Sequence, residues 1–260
     1  MSNFFKVAII GSGNVAWHMA RAFENSGHFI TDIYSRDLAN AKGLAKRLYD
    51  TNPTSNLDLQ ESEAEIFLIA VSDNAIKEVA AELSVPPYAV VAHTSGTKSL
   101  DALTQYHDNS GIFYPLQTFS KGISVDFREV PICIEAKHAA TEKILQRLGK
   151  SISNEVYSID SEDRKTLHVA AVFACNFSNH MLTIAQDILE EHNIDFNLLQ
   201  PLIAETVNKA LSTGPVEAQT GPAIRGDDQV IREHSKFLKY DRSYRKIYKL
   251  LSEHLKDSYS

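Results

Sequence analysis

Cysteine is scarce. The 260-residue chain has two, Cys133 and Cys175. They lack metal-ligand spacing, and both sit in apolar contexts that predict buried free thiols, as suits a reducing cytoplasm. Positive charge is also in deficit, with 26 Lys and Arg against 33 Asp and Glu, for a net charge of -7. That balance argues against a broad nucleic-acid surface. No apolar run approaches the roughly 20 residues of a membrane helix. The N-terminus enters an apolar strand at once, leaving no room for a signal peptide. Internal repeats and low-complexity segments are missing as well. What remains is 43% hydrophobic and 23% charged, the composition of an ordinary globular protein, long enough for one large domain or two smaller ones.

The chain opens with Lys6-Val7-Ala8-Ile9-Ile10, followed directly by Gly11-Ser12-Gly13-Asn14-Val15-Ala16. A short apolar run, a glycine turn and a helix-competent stretch are what a dinucleotide pyrophosphate site needs. Gly11 permits the tight turn, Gly13 lets backbone approach the phosphates, and Ala16 keeps the helix near the sheet. The helix N-terminus offers N–H groups to the anion.

Strands are expected at 5–10, 29–34, 65–71, 88–92, 111–114, 130–135 and 155–159, with a very short one near Thr54. Helices are expected at 14–26, at 37–49 capped by Asp37, at 74–83 behind Asp73, near 99–106 and at 138–149. This alternation predicts a doubly wound parallel α/β sheet, helices on both faces. After Asp160 no strand signal remains. A long helix begins near Ser161, with Leu167, Ala170, Ala174, Phe177, Met181, Ile184 and Ile188 on one face. Its first half also carries Val169, Val172 and Phe173, so that half is expected to be buried all round. Further helices are expected at 196–212, 226–238 and 241–256. The reading is a Rossmann-type domain over 1–158 and an all-helical domain over 159–260.

Candidate functional residues fall at the strand ends. Tyr34-Ser35-Arg36 closes the second strand, where an acidic residue would favour NAD. Ser35 and Arg36 suit a 2′-phosphate, which favours NADP; the competing reading makes Arg36 a solvated charge, with Asp32 or Asp37 on a ribose. Val71, Ser72 and Asn74 follow a central strand and are candidate ribose or phosphate contacts, while Asp73 suits a cap. His93, Thr94 and Ser95 end the next strand, near the nicotinamide half. Gln117 is an amide between apolar neighbours and needs partners. His168 is the candidate proton donor and His93 its rival. Asn176, in an otherwise apolar stretch, and Arg225, in the Thr220–Asp228 loop, are candidates to orient a substrate. For each a structural role competes: a packing bond for Asn176, a pair with Asp227 or Asp228 for Arg225.

The segments Gly11 to Ala16, Ser35-Arg36-Asp37 and Ala70-Val71-Ser72-Asp73 resemble the coenzyme-binding domain of the superfamily of pyrroline-5-carboxylate reductase, β-hydroxyacid dehydrogenase and deazaflavin-dependent NADP oxidoreductase. The stretches 93–96, 114–119, 168–176 and 220–227 resemble a bacterial family that joins a Rossmann-like domain to a C-terminal domain of unknown function, usually labelled NADP oxidoreductases. The resemblance implies NADP(H), a helical second domain that builds a homodimer, and an active site between domains on a small carbonyl or imine substrate. Two positions depart from the related patterns. Tyr114 stands where histidine often precedes the proline, and no acid–base role is assigned to it. Val172 stands where a hydroxyacid dehydrogenase would have lysine four residues before Asn176, so that mechanism does not transfer. A non-catalytic NADP-binding sensor or regulatory protein is the alternative, since a fold does not fix a function.

Overall fold

A computed structural model describes residues 4–259. It divides by compactness into two units, Met1–Val172 and Phe173–Ser260. The first unit carries β1 (Lys6–Ile10), α1 (Asn14–Asn25), β2 (Phe29–Tyr34), α2 (Leu38–Ala45), β3 (Asn52–Thr54), β4 (Ile66–Ile69), α3 (Ile76–Glu82), β5 (Val90–His93), α4 (Asp101–Thr104), β6 (Ser110–Pro115), β7 (Ile132–Ala136), α5 (Ala139–Ile152), β8 (Val156–Ser158) and α6 (Ser161–Ala171). The strands form one sheet in the order β3-β2-β1-β4-β5-β6-β7-β8. The order reverses between β1 and β4, and the crevice beyond their carboxyl ends is where such sheets bind ligands.

Both faces of the sheet are covered, as the unbroken apolar runs require. Val7, Ile9, Ile66 and Leu68 enter one core with Ala16, Met19 and Phe23 of α1. Their neighbours Ala8, Ile10, Phe67 and Ile69 point the other way, into a core with Ile76, Val79 and Ala80 of α3. Alternation along each strand places successive side chains on opposite faces.

One pairing departs from the all-parallel expectation: β6 and β7 run antiparallel. A parallel return needs a crossover, usually a helix. The chain between Pro115 and Ile132 holds only a 3-10 turn, Phe127–Glu129, and so turns back directly.

The helical run from Ser161 passes through a π-helical segment, Val172–Phe177, into α7 (Ser178–Glu190). Its first part belongs to the first unit, so the compact boundary falls later than 158. The second unit continues with α8 (Gln200–Thr213), α9 (Pro215–Ala218), α10 (Asp228–Phe237) and α11 (Arg242–Tyr259). Its core is thin. Among the described residues after Val172, only Ile184, Ala223 and Leu238 are buried hydrophobics. The expected all-round burial of the long helix does not occur within this chain: Val169 is 49% exposed, Phe173 65% and Phe177 49%. Cys175, expected buried, is exposed for the same reason, while Cys133 on β7 is buried. No described helix is long and apolar enough to cross a membrane.

Candidate active site

The turn after β1 is shaped by two glycines with different duties. Gly11 has φ +136°, and a Cβ there would lie 2.2 Å from the Ala70 carbonyl oxygen. The absence of a side chain thus lets the β1 turn close against the end of β4. Gly13 is the N-cap of α1, and no side chain caps the helix. A Cβ on Gly13 would meet nothing within 4 Å. The first N–H groups of α1 are thus uncovered by any side chain, as an anion site needs.

A cavity of about 570 Å³ opens from this turn, within the range of small-ligand sites. Of the expected cofactor contacts, Gly11, Ser12, Gly13, Asn14, Val15, Ser35, Arg36, Val71, Ser72, Thr94 and Ser95 line it, and so does His168. Asn74 does not line it. Some side chains are already engaged. Ser12 donates to Ser35 Oγ (3.1 Å), and Asn14 Nδ2 donates to the Phe119 carbonyl (2.9 Å). Ser95 Oγ accepts from the backbone N–H groups of Thr97 and Lys98. Asp73 accepts from Thr97 Oγ1 (2.5 Å), tying the loop after β4 to the loop after β5 rather than capping a helix. Gln117 is exposed, its Oε1 accepting from the N–H of Thr118.

At the β2 end, Ser35 and Arg36 face the cavity together with Glu78 and Glu82 of α3. The Tyr34 phenol is raised by burial and by the Glu82 charge, opposed by Arg36. Asp32 is spent inside the sheet, accepting from Asn52 (2.9 Å) and Ser62 (2.6 Å). Asp37 caps α2 through the Ala39 N–H, 2.9 Å away. Neither competes for a ribose.

At the other end stands a group of residues that sequence reasoning only half foresaw. The Tyr114 hydroxyl, at the end of β6, lies 3.0 Å from His168 Nδ1 on α6. Gly96 lies beneath them; a Cβ there would come within 2.6 Å of that Nδ1 and 2.9 Å of Tyr114 Cζ. Burial pushes the Tyr114 phenol up to about 12, with Cys133 and Asp73 adding to the rise and Arg164 opposing it. One turn before His168, the fully buried Arg164 holds α6 to the sheet. It donates to Glu135 Oε2 (2.6 Å), to the Lys98 carbonyl (2.5 Å) and to Ser161 Oγ (3.2 Å).

His93 is not the rival donor expected from sequence. It is fully buried, Nδ1 accepting from the Ser95 N–H (3.2 Å) and Nε2 lying 3.3 Å from the Ser99 carbonyl. Burial lowers its pKa to about 4. With both nitrogens held by backbone, it stays neutral and orders the loop after β5. The cavity is built wholly from the first unit. Asn176 and Arg225 lie in the second. Asn176 is exposed in the π-helical segment rather than buried, and Arg225 pairs with Asp227 at 2.9 Å, 63% exposed. Two signals were missed. Tyr114 was visible only as a departure from a pattern, and Arg164 has its partner 29 residues away, beyond any local motif.

A mostly parallel sheet with an open glycine turn and a lined crevice defines a Rossmann-like fold. The Rossmann-like domain model matches residues 2–117, and the model of a domain of unknown function, DUF2520, matches residues 130–255. A crystal structure from Bacteroides fragilis, named a "putative NADP oxidoreductase", is 35% identical over 98% of this chain and 99% of that one, with TM-score 0.89. The chain belongs to this family, which joins a Rossmann-like domain to DUF2520. A protein from Thermotoga maritima is 22% identical, with coverage of 97% and 98% and TM-score 0.71. Pyrroline-5-carboxylate reductase from Streptococcus pyogenes shares the fold at 14% identity, with coverage of 98% and 100% and TM-score 0.64. No curated protein matches the chain.

Proposed function

We propose that the protein is an NADPH-dependent reductase of a small carbonyl or imine substrate, with His168 as proton donor. The observation that carries the reading is a single cavity lined by the glycine turn, by Ser35 and Arg36 at one end and by His168 at the other. Its lining suits the cofactor: serine hydroxyls, one guanidinium and an uncapped helix N-terminus for phosphates, and no side chain at Gly13 where backbone must approach. Bound NADPH supplies the hydride. The protein holds and orients it, and His168 gives a proton to the oxygen or nitrogen where charge develops. The B. fragilis relative, named for NADP, supports the same reading.

Arg36 carries the choice of NADPH over NADH. Glu78 and Glu82 share its end of the cavity, and their charges oppose a 2′-phosphate unless the guanidinium answers it. A ligand at a hundred times its Kd stabilises by about 2.7 kcal/mol, so NADPH is expected to raise Tm well above NADH at equal concentration. A hydrogen bond to a charged group contributes about 1.5–3 kcal/mol. Arg36→Ala is therefore expected to cost NADPH roughly 10- to 100-fold in affinity and leave NADH nearly unchanged. Equal shifts in the wild type would sink the NADPH assignment.

The second unit suits self-association, and we place a homodimer in the cytoplasm. Phe173, Phe177, Leu198, Leu202 and Leu211 are 49–82% exposed on helices with little core of their own, and large exposed apolar patches mark interaction sites. Sedimentation at micromolar concentration is expected to give twice the mass of one chain; a monomer would overturn it.

A further inference from the structure

We propose that Tyr114 and His168 form a proton relay, in which His168 gives the proton on Nε2 to the substrate while taking the hydroxyl proton of Tyr114 on Nδ1. The inference rests on the reductase reading and names the source of its proton. The geometry is specific. The two side chains meet at 3.0 Å, both line the cavity, and the missing Cβ of Gly96 makes room for the pair. Nδ1 is occupied by the phenol, which leaves Nε2 as the ring nitrogen able to reach a ligand. The phenol keeps its proton at neutral pH, since burial pushes it up to about 12. In the relay it is the donor to Nδ1.

The proton balance closes. As the carbonyl carbon takes the hydride, its oxygen becomes an alkoxide, a stronger base than a phenolate. The oxygen takes the Nε2 proton and Nδ1 takes the proton of Tyr114, leaving a phenolate beside a neutral imidazole that carries its proton on Nδ1. The pair resets when Nε2 takes a proton from water and Nδ1 returns its own to Tyr114. Charged and titratable groups face Tyr114 from three elements. Arg164 on α6 favours the phenolate, while Asp73 in the loop after β4 and Cys133 on β7 disfavour it. Cys133 stands directly opposite Tyr114 in the antiparallel pair. Neutral His93 adds no charge.

A relay and a simple acid differ in pH dependence. An imidazole that must be protonated to donate loses about tenfold in rate per pH unit above its own pKa. A relay works from the neutral ring. Wild-type turnover with NADPH on a panel of 2-oxo acids, imino acids and other small carbonyls is expected to hold between about pH 6 and pH 9, and that of Tyr114→Phe to fall tenfold per unit on the alkaline side. An unchanged profile in Tyr114→Phe overturns the relay. A second arm needs no substrate. Nitrogen-15 NMR of the protein at pH 8 is expected to show His168 protonated at Nε2, with Nδ1 accepting a hydrogen bond that Tyr114→Phe removes. A proton found on Nδ1 in the wild type overturns the relay whatever the activity. If no panel compound turns over while this signature is present, it is the reductase reading that fails.

Discussion

Glu135→Ala is expected to lower Tm by about 10 °C. Arg164 is fully buried, and its guanidinium has one carboxylate partner, Glu135 Oε2 at 2.6 Å. Its Nε has no hydrogen-bond partner. Removing Glu135 strands a charge without water, and breaking a buried pair this way costs about 3–5 kcal/mol. For a domain of this size each kcal/mol moves Tm by about 2–4 °C. The reverse deletion is milder. Arg164→Met leaves Glu135, whose side chain is 20% exposed, and that carboxylate can recover hydration. The pair's net contribution is smaller than either deletion suggests, so a Glu135→Leu/Arg164→Met double variant is expected to regain much of the loss. Denaturant melts of the four proteins test this. If Glu135→Ala is no worse than Arg164→Met, the guanidinium is not held as argued. His168 lies four residues after Arg164, one turn along α6. Loss of that seat should therefore also weaken the contact with Tyr114.

How far the sequence led follows from the range of each interaction. β1, β4 and β5 were legible because strands buried on both faces read as continuous apolar runs, and the glycine turn because its pattern is local. The direction of β7 was not, since it depends on what the connection from Pro115 lacks. His93 looked like chemistry because a histidine after a strand stands out, yet the backbone of its own loop absorbs both nitrogens. Tyr114 drew less notice, although it meets His168 at one end of the cavity, because that partner is on α6, 54 residues on. The long helix carries an apolar face, but the expected all-round burial is not met within this chain, where Phe173 stays 65% and Phe177 49% exposed.

The two glycines of the first turn are expected to fail in opposite ways. Gly11→Ala should damage the fold. At φ +136° an alanine is strained, and its Cβ would lie 2.2 Å from the Ala70 carbonyl oxygen and 2.8 Å from its carbon. Both are backbone atoms of the loop that leaves β4, so neither can swing away. Strain in such a region costs about 1–3 kcal/mol, and the clash adds to it, so a loss of about 3 kcal/mol or more is expected without any ligand. Gly13→Ala should fold normally. Its φ of -75° and ψ of -171° are ordinary extended backbone, and nothing lies within 4 Å of the added carbon. Alanine is a poorer N-cap than glycine but narrows the unfolded ensemble, and the net change is expected to stay under about 1 kcal/mol. Gly13 nevertheless lines the cavity, so the new methyl group takes the space through which a pyrophosphate must approach the start of α1. The expected result is a wild-type melt without NADPH and little or no NADPH shift. A Gly13→Ala protein stabilised by NADPH as fully as the wild type would place the pyrophosphate elsewhere, and the reductase reading would lose its cofactor site.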